Sequence, residues 1–167
     1  MADDAQPSLR NTSRQPGALA DGFLFPIRVY WEDTDAGGIV FYANYLKYFE
    51  RARTEWLRSF GISQQALKTS TGCMFVVAET SLRYHAPARL DDQLLVTAEL
   101  VRCDRASLTM AQQVFRSDPA CESPENTGLT APSALLLCSG TIRIGWVEES
   151  TLRPARIPPS LLEILCP

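Results

Sequence analysis

One helix-period stretch constrains the fold of this chain more than any other feature. Over residues 44–60, apolar side chains recur at three- and four-residue steps, which places them on one side of a helix. They are Tyr45, Tyr48, Phe49, Ala52, Trp56 and Phe60. The opposite side is polar and charged, so only one face requires burial. Asn44 is the predicted N-cap, and Gly61 is the predicted left-handed residue that ends the helix.

Strand-like runs surround this predicted helix. Residues 23–31 precede it and are rich in β-branched and aromatic side chains, with Pro26 suited to the start of a strand or to an edge. Four further runs follow, at roughly 75–84, 93–102, 107–116 and 134–147. This order predicts an α+β fold in which one antiparallel sheet wraps around the apolar face of the helix. Because such a sheet has open edges, we expect at least a dimer.

The remaining segments are short or polar. Residues 1–22 are aperiodic, contain Pro and Gly and lack the apolar core of a secretory signal, so they are predicted to be a disordered tail. A single domain is then expected over residues 23–167. Residues 117–133, rich in Ser, Pro, Glu and Gly, predict an extended hairpin loop, parts of which are expected to be mobile. The last residues, 160–165, predict one short helical turn.

Composition excludes several classes of protein. Sixteen Lys and Arg against 19 Asp and Glu give a net charge of −3, which is not the signature of a nucleic-acid-binding protein. No apolar run approaches the roughly 18 residues needed to span a bilayer, so integral membrane association is not expected. The five cysteines form no C-x-x-C pair, and one histidine cannot complete a zinc finger. We therefore expect no metal site and a reduced, cytoplasmic chain whose cysteines are small apolar residues.

The most informative stretch is residues 30–53, which read YWEDTDAGGIVFYANYLKYFERAR. It resembles the hotdog-fold acyl-CoA thioesterases of the 4-hydroxybenzoyl-CoA thioesterase-like family, including the Tol–Pal-associated branch. YHAPARLDD at residues 84–92 and RPARIP at 153–158 are similar to later parts of that family. The resemblance implies a hotdog fold, a homodimer or homotetramer, and acyl-CoA substrates. Coenzyme A is then part of the substrate, and no separate cofactor is implied.

The same resemblance assigns the catalytic group. Asp35 aligns with the family's catalytic aspartate, which acts as a nucleophile or as a general base on water. It lies in a glycine-rich turn before a helix, where backbone N–H groups at or near Tyr42 can bind a developing oxyanion. A thioester needs less activation than an amide, so one carboxylate and such donors can suffice. The structural alternative for Asp35 is an Asx-turn or a helix cap. For Asp33 the alignment favours a structural role in the turn.

Two positions depart from the Tol–Pal-associated branch. Trp31 stands where that branch often has tyrosine, and Tyr42 stands where it has histidine. The Phe41–Tyr42 pair is closer to the hydroxybenzoyl branch. Trp31, Phe41 and Tyr42, with Tyr45 and Tyr48, are candidate walls of an aromatic or short aliphatic acyl pocket, although most are equally suited to the core.

Glu50 is the second carboxylate of interest. An ion pair with Lys47 or Arg53 is its expected role, because these residues lie three positions away on the helix. Some hotdog enzymes place a catalytic glutamate on this helix, so Glu50 is also the alternative catalytic residue. The sole histidine, His85, matches no catalytic position of the family and is predicted to be packed or interfacial.

Coenzyme A carries phosphates, which require Arg or Lys. Arg102 and Arg105 flank a tight hairpin beside Ser107, and resemblance to an Arg-x-Ser element makes them candidates for this role. Simple solvent exposure is the alternative. Arg89 is predicted to pair with Asp91 or Asp92 within its own turn.

Three functions follow from these residues. The first is an acyl-CoA thioesterase acting on a short-chain or aromatic acyl group. The second is a catalytically weak hotdog protein that binds acyl groups or an acyl carrier protein, an alternative motivated by the missing histidine. The third, a hotdog hydratase, requires a different motif that this chain lacks.

Overall fold

The computed structural model describes residues 22–117 and 134–166, so most of the predicted tail and loop lies outside the described residues. The strands are β1 (Phe23–Arg28), β2 (Cys73–Tyr84), β3 (Gln93–Cys103), β4 (Ser107–Arg116) and β5 (Leu135–Glu148). The helices are α1 (Asn44–Ser59), α2 (Gln64–Thr71) and α3 (Pro159–Leu165), and a 3₁₀ turn covers Trp31–Asp33. No helix in these described ranges is long and apolar enough to cross a membrane.

The five strands form one antiparallel sheet in the order β1-β3-β4-β5-β2. Helix α1 lies across one face of this sheet, and its apolar side chains join the sheet's inward residues in a single core. The predicted α+β fold, an antiparallel sheet around one long helix, is confirmed. Strands β1 and β2 are the two edges of the sheet. Pro26 lies on the edge strand β1, where a residue without an N–H group does not interrupt hydrogen bonding between two central strands.

Helix α1 begins one residue earlier than its predicted capping pattern. Ala43 is the cap residue, and Asn44 is already helical, so the prediction of Asn44 as N-cap is wrong. The Asn44 side chain instead donates from Nδ2 to the Asp33 carbonyl at 2.9 Å. Gly61 has φ = 75°, as predicted for the residue that ends the helix. Phe60 lies outside the core at 42% exposure, because the helix ends at Ser59.

A polar network ties α1 to the sheet where the β3–β4 ladder opens. The Gln112 amide donates to the Thr97 carbonyl of β3 and to the Phe49 carbonyl of α1, each at 3.1 Å. Its Oε1 accepts a hydrogen bond from Arg53 at 2.8 Å. Gln112 is fully buried, so each of these bonds satisfies a group that has no access to water. Burial lowers the pKa of Arg53.

The cysteines differ from expectation. Cys103, at the end of β3, and Cys166, after α3, form a disulfide with a Cα–Cα distance of 6.9 Å. The prediction that all five cysteines are unpaired is therefore wrong. Spacing gave no sign of this pair, because the two residues are 63 positions apart and only the packing of α3 brings them together. Cys138 is a free, buried thiol, and burial raises its pKa to about 12.

Candidate active site

Asp33 organises the loop between β1 and α1. Its side chain is 3% exposed, and Oδ2 accepts the Tyr30 N–H at 2.9 Å. Its backbone carbonyl accepts the Phe41 N–H at 2.9 Å as well as the Asn44 amide. The two ends of the loop are thereby joined at one residue, in agreement with the structural role predicted for Asp33.

Asp35 lies at the exposed tip of this loop. Its N–H donates to the Ile39 carbonyl at 2.9 Å, and its own carbonyl accepts the Gly38 N–H at 3.0 Å. The side-chain Oδ1 accepts the Gly37 N–H at 2.8 Å, so the Asx-turn considered as an alternative is present. Oδ2 has no donor among the residues that the structure describes. The turn thus orients the carboxylate through one oxygen and leaves the other available. Gly38, at φ = 72°, supplies the left-handed conformation that the turn requires.

Backbone donors lie at the start of α1. The Asn44 N–H donates to the Phe41 carbonyl at 2.8 Å, which closes the turn into the helix. Within the described ranges, the N–H groups of Tyr42 and Ala43 find no protein acceptor. The 16-residue helix behind them adds the positive end of its dipole. This arrangement can stabilise negative charge on a substrate oxygen.

An apolar pocket of about 350 Å³ adjoins these donors. It is lined by Ile39, Val40, Tyr42, Tyr45, Tyr84, His85, Ala86 and Pro87. The Tyr84 hydroxyl donates to the Tyr42 carbonyl at 3.1 Å, and the Tyr45 hydroxyl accepts the Ala88 N–H at 3.0 Å. Burial raises the pKa of both tyrosines, so their rings remain neutral walls. Ile39, which bonds to Asp35 across the turn, connects the pocket to the carboxylate.

The predicted pocket residues divide into two groups. Tyr42 and Tyr45 line the pocket, whereas Trp31 and Phe41 lie outside its lining, at 80% and 42% exposure. Tyr48 is fully buried in the core. Sequence reasoning did not place Tyr84 in the site, although it opens the YHAPARLDD motif.

His85 belongs to two environments. It contributes to the pocket wall, and its Nε2 lies 2.9 Å from the Ser139 hydroxyl of β5. Ser139 pairs with Arg83, next to the core-facing pair of Tyr84 and Cys138, so it lies on the sheet face opposite α1. The imidazole is therefore directed away from the tyrosine-lined pocket.

Glu50 is exposed on α1 and accepts a hydrogen bond from the Thr54 hydroxyl at 2.8 Å. Among the described residues it forms no ion pair with Lys47 or Arg53, so that expectation is wrong. The reason is that Arg53 donates to Gln112 beneath the helix.

The predicted phosphate-binding hairpin lies at the far end of β3 from Asp35. An 11-residue strand spans roughly 35 Å, and the Asp35 loop adjoins its beginning. Arg105 is exposed, but Ser107 is 6% exposed and its hydroxyl donates to Asp104. Asp104 also binds the Arg102 guanidinium at 2.9 Å. One chain alone does not bring this hairpin to the carboxylate. In the described ranges, no cluster of three or more His, Cys, Asp or Glu side chains could hold a metal ion.

The sheet, the enclosed helix and an aspartate turn at the helix start define a hotdog domain with a hydrolase-like site. The sequence pattern of the thioesterase superfamily matches residues 37–123, and the chain belongs to that superfamily.

Two curated relatives agree with this assignment, and a solved structure agrees with the fold. The chain is 36% identical over 140 residues to the acyl-CoA thioesterase YbgC of Haemophilus influenzae, covering 84% of this chain and 91% of that protein. It is 39% identical over 140 residues to the acyl-CoA thioester hydrolase YbgC of Escherichia coli, covering 84% and 92%. A variant 4-hydroxybenzoyl-CoA thioesterase in complex with 4-hydroxybenzoyl-CoA shares the fold, with a TM-score of 0.75 at 17% identity, over 87% of this chain and 99% of that one.

Proposed function

We propose that this protein hydrolyses acyl-CoA thioesters and that Asp35 is its catalytic carboxylate. One observation carries the proposal: a single short loop joins an oriented carboxylate, unbonded N–H groups at a helix start and an apolar pocket. The names of the two YbgC relatives support the same substrate class. No cofactor enters this chemistry, because coenzyme A is part of the substrate.

The same oxygen serves either catalytic role. As a base, Asp35 Oδ2 accepts a proton from water while the water oxygen attacks the thioester carbon. As a nucleophile, Oδ2 itself attacks, and water then hydrolyses the resulting anhydride. In both routes the carbonyl oxygen becomes an oxyanion that the Tyr42 N–H stabilises. The C–S bond then breaks, and the coenzyme A thiolate leaves and takes up a proton.

The pocket volume and its neutral tyrosine walls suit a short-chain or aromatic acyl group. Trp31 and Phe41 are exposed and absent from the pocket lining, so any contact they make is with parts of the substrate outside the pocket. Glu50, on the exposed flank of α1, remains the alternative carboxylate.

Assembly as a homodimer is part of the proposal. Strand β2 is an edge with no second partner among the described strands, and Val77 and Tyr84 on it are 54% and 47% exposed. Antiparallel pairing of two β2 edges would bring the Tyr84 end of one strand beside the Cys73 end of the other. The partner's Arg105 hairpin lies toward that end, which is how Arg105 could reach the coenzyme A of a neighbouring site. A homotetramer would be two such dimers.

Replacing Asp35 by Asn tests the catalytic assignment. The variant keeps the Asx-turn acceptor but loses the base and nucleophile, so turnover should fall by at least ~10²-fold in a thiol-release assay with a panel of acyl-CoAs. Glu32→Gln, an exposed carboxylate in the same loop, serves as the control. Near-normal turnover of Asp35→Asn together with loss of activity in Glu50→Gln would move the catalytic carboxylate to α1.

A second function is favoured by Tyr42, which occupies the position where the Tol–Pal-associated branch has histidine. In that case the protein binds acyl groups, or an acyl carrier protein that bears them, with little hydrolysis. A wild-type protein that releases no thiol from any acyl-CoA, yet binds acyl-CoA by calorimetry, would support this alternative.

The cytoplasmic location expected from the sequence stays a prediction.

A further inference from the structure

We infer that Tyr84 is a positioning residue: by donating its hydroxyl to the Tyr42 carbonyl, it strengthens the Ala43 N–H as a hydrogen-bond donor to the thioester oxygen. The inference rests on the proposed function and extends it to a side chain outside the catalytic loop. The Tyr84 ring is part of the pocket wall, but its hydroxyl acts on the substrate only through the peptide group between Tyr42 and Ala43.

This peptide group carries both ends of the effect. Its two polar groups, the Tyr42 carbonyl and the Ala43 N–H, point in opposite directions. Ala43 has φ = −73° and ψ = −18°, so its N–H points out of the start of α1. The Tyr84 hydroxyl donates to the Tyr42 carbonyl at 3.1 Å. Among the described residues no other group does so, because the Leu46 N–H, which a regular α-helix would direct there, donates to the Ala43 carbonyl at 3.1 Å. A carbonyl that accepts a hydrogen bond polarises its peptide group, which makes the N–H of that group a stronger donor.

Tyr84 is held in place at its backbone and at its ring. It ends strand β2, and the next N–H group, of His85, donates to the Leu137 carbonyl of β5 at 2.8 Å. Its ring packs edge-on against Tyr45 at a centroid distance of 5.6 Å, and Tyr45 is itself 2% exposed. Burial raises the pKa of Tyr84, so the phenol keeps its proton and donates at neutral pH. The hydroxyl is therefore a fixed donor to the Tyr42 carbonyl.

The shape of the helix start does not depend on this hydroxyl. The Phe41 N–H and the Asn44 amide both donate to the Asp33 carbonyl at 2.9 Å, and the Asn44 N–H donates to the Phe41 carbonyl at 2.8 Å. These three bonds remain when the Tyr84 hydroxyl is removed. What changes is the donor strength of the peptide group, and this matters most in the transition state, where the substrate oxygen carries the greatest negative charge.

Tyr84→Phe tests the inference, because it keeps the ring and removes only the hydroxyl. In the thiol-release assay kcat should fall about 3- to 10-fold with KM unchanged, a smaller loss than removal of a whole oxyanion donor causes. Tyr30→Phe is the matched control, since it removes the hydroxyl of an exposed tyrosine at the other end of the loop and should change neither constant. An unchanged kcat would overturn the inference, and so would a raised KM alone, which would assign the hydroxyl to the pocket wall.

The stretching frequency of the thioester carbonyl distinguishes a weaker donor from a change in structure. It is measured by infrared difference spectroscopy on an acyl-CoA with an isotope-labelled acyl carbonyl, bound to Asp35→Asn so that the substrate persists. We expect a higher frequency in the double variant Asp35→Asn/Tyr84→Phe than in Asp35→Asn, because a weaker donor withdraws less electron density from the C=O bond. Equal frequencies would overturn the inference even if kcat falls.

Failure of the proposed function would be recognised separately, as a wild type that releases no thiol from any acyl-CoA. The same spectra are then compared between wild type and Tyr84→Phe, since neither consumes the bound acyl-CoA. A higher carbonyl frequency in Tyr84→Phe would uphold the role of Tyr84 in a protein that only binds the thioester. Equal frequencies, or an acyl-CoA that does not bind to wild type, would overturn it.

Discussion

Two aspartates two positions apart perform opposite tasks in this molecule. Asp33 is buried and joins both ends of the loop. Asp35 is exposed, and of its two carboxylate oxygens only Oδ1 accepts a hydrogen bond from a described residue. The family resemblance indicated this division, because it aligns Asp35 with the catalytic aspartate and gives Asp33 a structural role in the turn. It could not indicate that Asn44 reaches back to Asp33, since that bond depends on the entry angle of α1.

Tyr48 provides a prediction at the same scale. Its hydroxyl is buried beside the Asp33 carboxylate, and no described group lies within good hydrogen-bond geometry of it. Tyr48→Phe removes this unsatisfied hydroxyl, so the free energy of unfolding near pH 7 should be unchanged or higher. Urea denaturation at pH 7 measures this. A loss above about 2 kcal/mol would show that the hydroxyl is hydrogen-bonded after all.

The pH dependence of stability should also change in Tyr48→Phe. Burial and the Asp33 charge raise the pKa of Tyr48 above its unfolded value of 10.0. The unfolded state therefore loses the phenol proton first, and this tyrosine's contribution to stability is present below pH 10 and declines as the pH rises further. Between pH 9 and 11, wild type should lose more stability than Tyr48→Phe. Parallel declines in the two proteins would contradict this.

Among the secondary-structure elements, α1 was predictable and α2 was not. Helix α1 buries a continuous apolar side, and that periodicity is visible in the sequence. Helix α2 reads QQALKTST and has no fully buried residue; Leu67 alone packs against the core, which is too little for a visible apolar period. Its signals are only local: the Ser63 hydroxyl accepts the Ala66 N–H, and Gly72 ends the helix at φ = 66°.

Strand β5 contains a close approach that can be tested. A Cβ on Gly140 would lie 2.5 Å from Leu82 Cδ2, 3.1 Å from the Ser81 carbonyl and 3.2 Å from Phe49 Cε2. Gly140→Ala should therefore lower the free energy of unfolding by about 1–3 kcal/mol. Gly145→Ala in the same strand is the control, because its Cβ would meet only Val76 Cγ2 at 4.0 Å. Thermal denaturation of both variants makes the comparison, and equal midpoints would refute it.

For the whole molecule, the types of the elements were predictable from the sequence, whereas the neighbours of the edge strands were not. The β3–β4 hairpin follows from its short connection, whereas the pairing of β1 with β3 and of β2 with β5 joins distant segments. The same distinction applies to the site. Asp35 and Tyr42 lie in the same loop between β1 and α1, and their closeness along the chain was visible in the sequence. Arg105 was grouped with them by resemblance. The hydrogen bonds of Val29 with Asp91 and Asp92 place the Asp35 loop at the beginning of β3, and Arg105 follows the end of that strand.

The open β2 edge predicts how the protein assembles. Wild type should be at least a dimer by light scattering, and Val77→Asp should weaken the association about 10-fold or more, because it places a charge on the exposed edge. Val101 is equally exposed, at 52%, but lies on the internal strand β3, so Val101→Asp should leave the dimer intact. A monomeric wild type, or a dimer insensitive to Val77→Asp, would exclude this edge.

Because of the disulfide between Cys103 and Cys166, the free energy of unfolding has two values, one for the oxidised and one for the reduced protein. It closes a chain segment of 63 positions, and in the chain-entropy description such closure destabilises the unfolded ensemble by about 4 kcal/mol. Reduction would leave every strand in place, but it would restore to the unfolded chain the conformational entropy that the disulfide removes. The persistence of the fold would then depend on the thiol–disulfide balance of its surroundings, while the Asp35 loop, at the opposite end of β3, would keep the same contacts in either form.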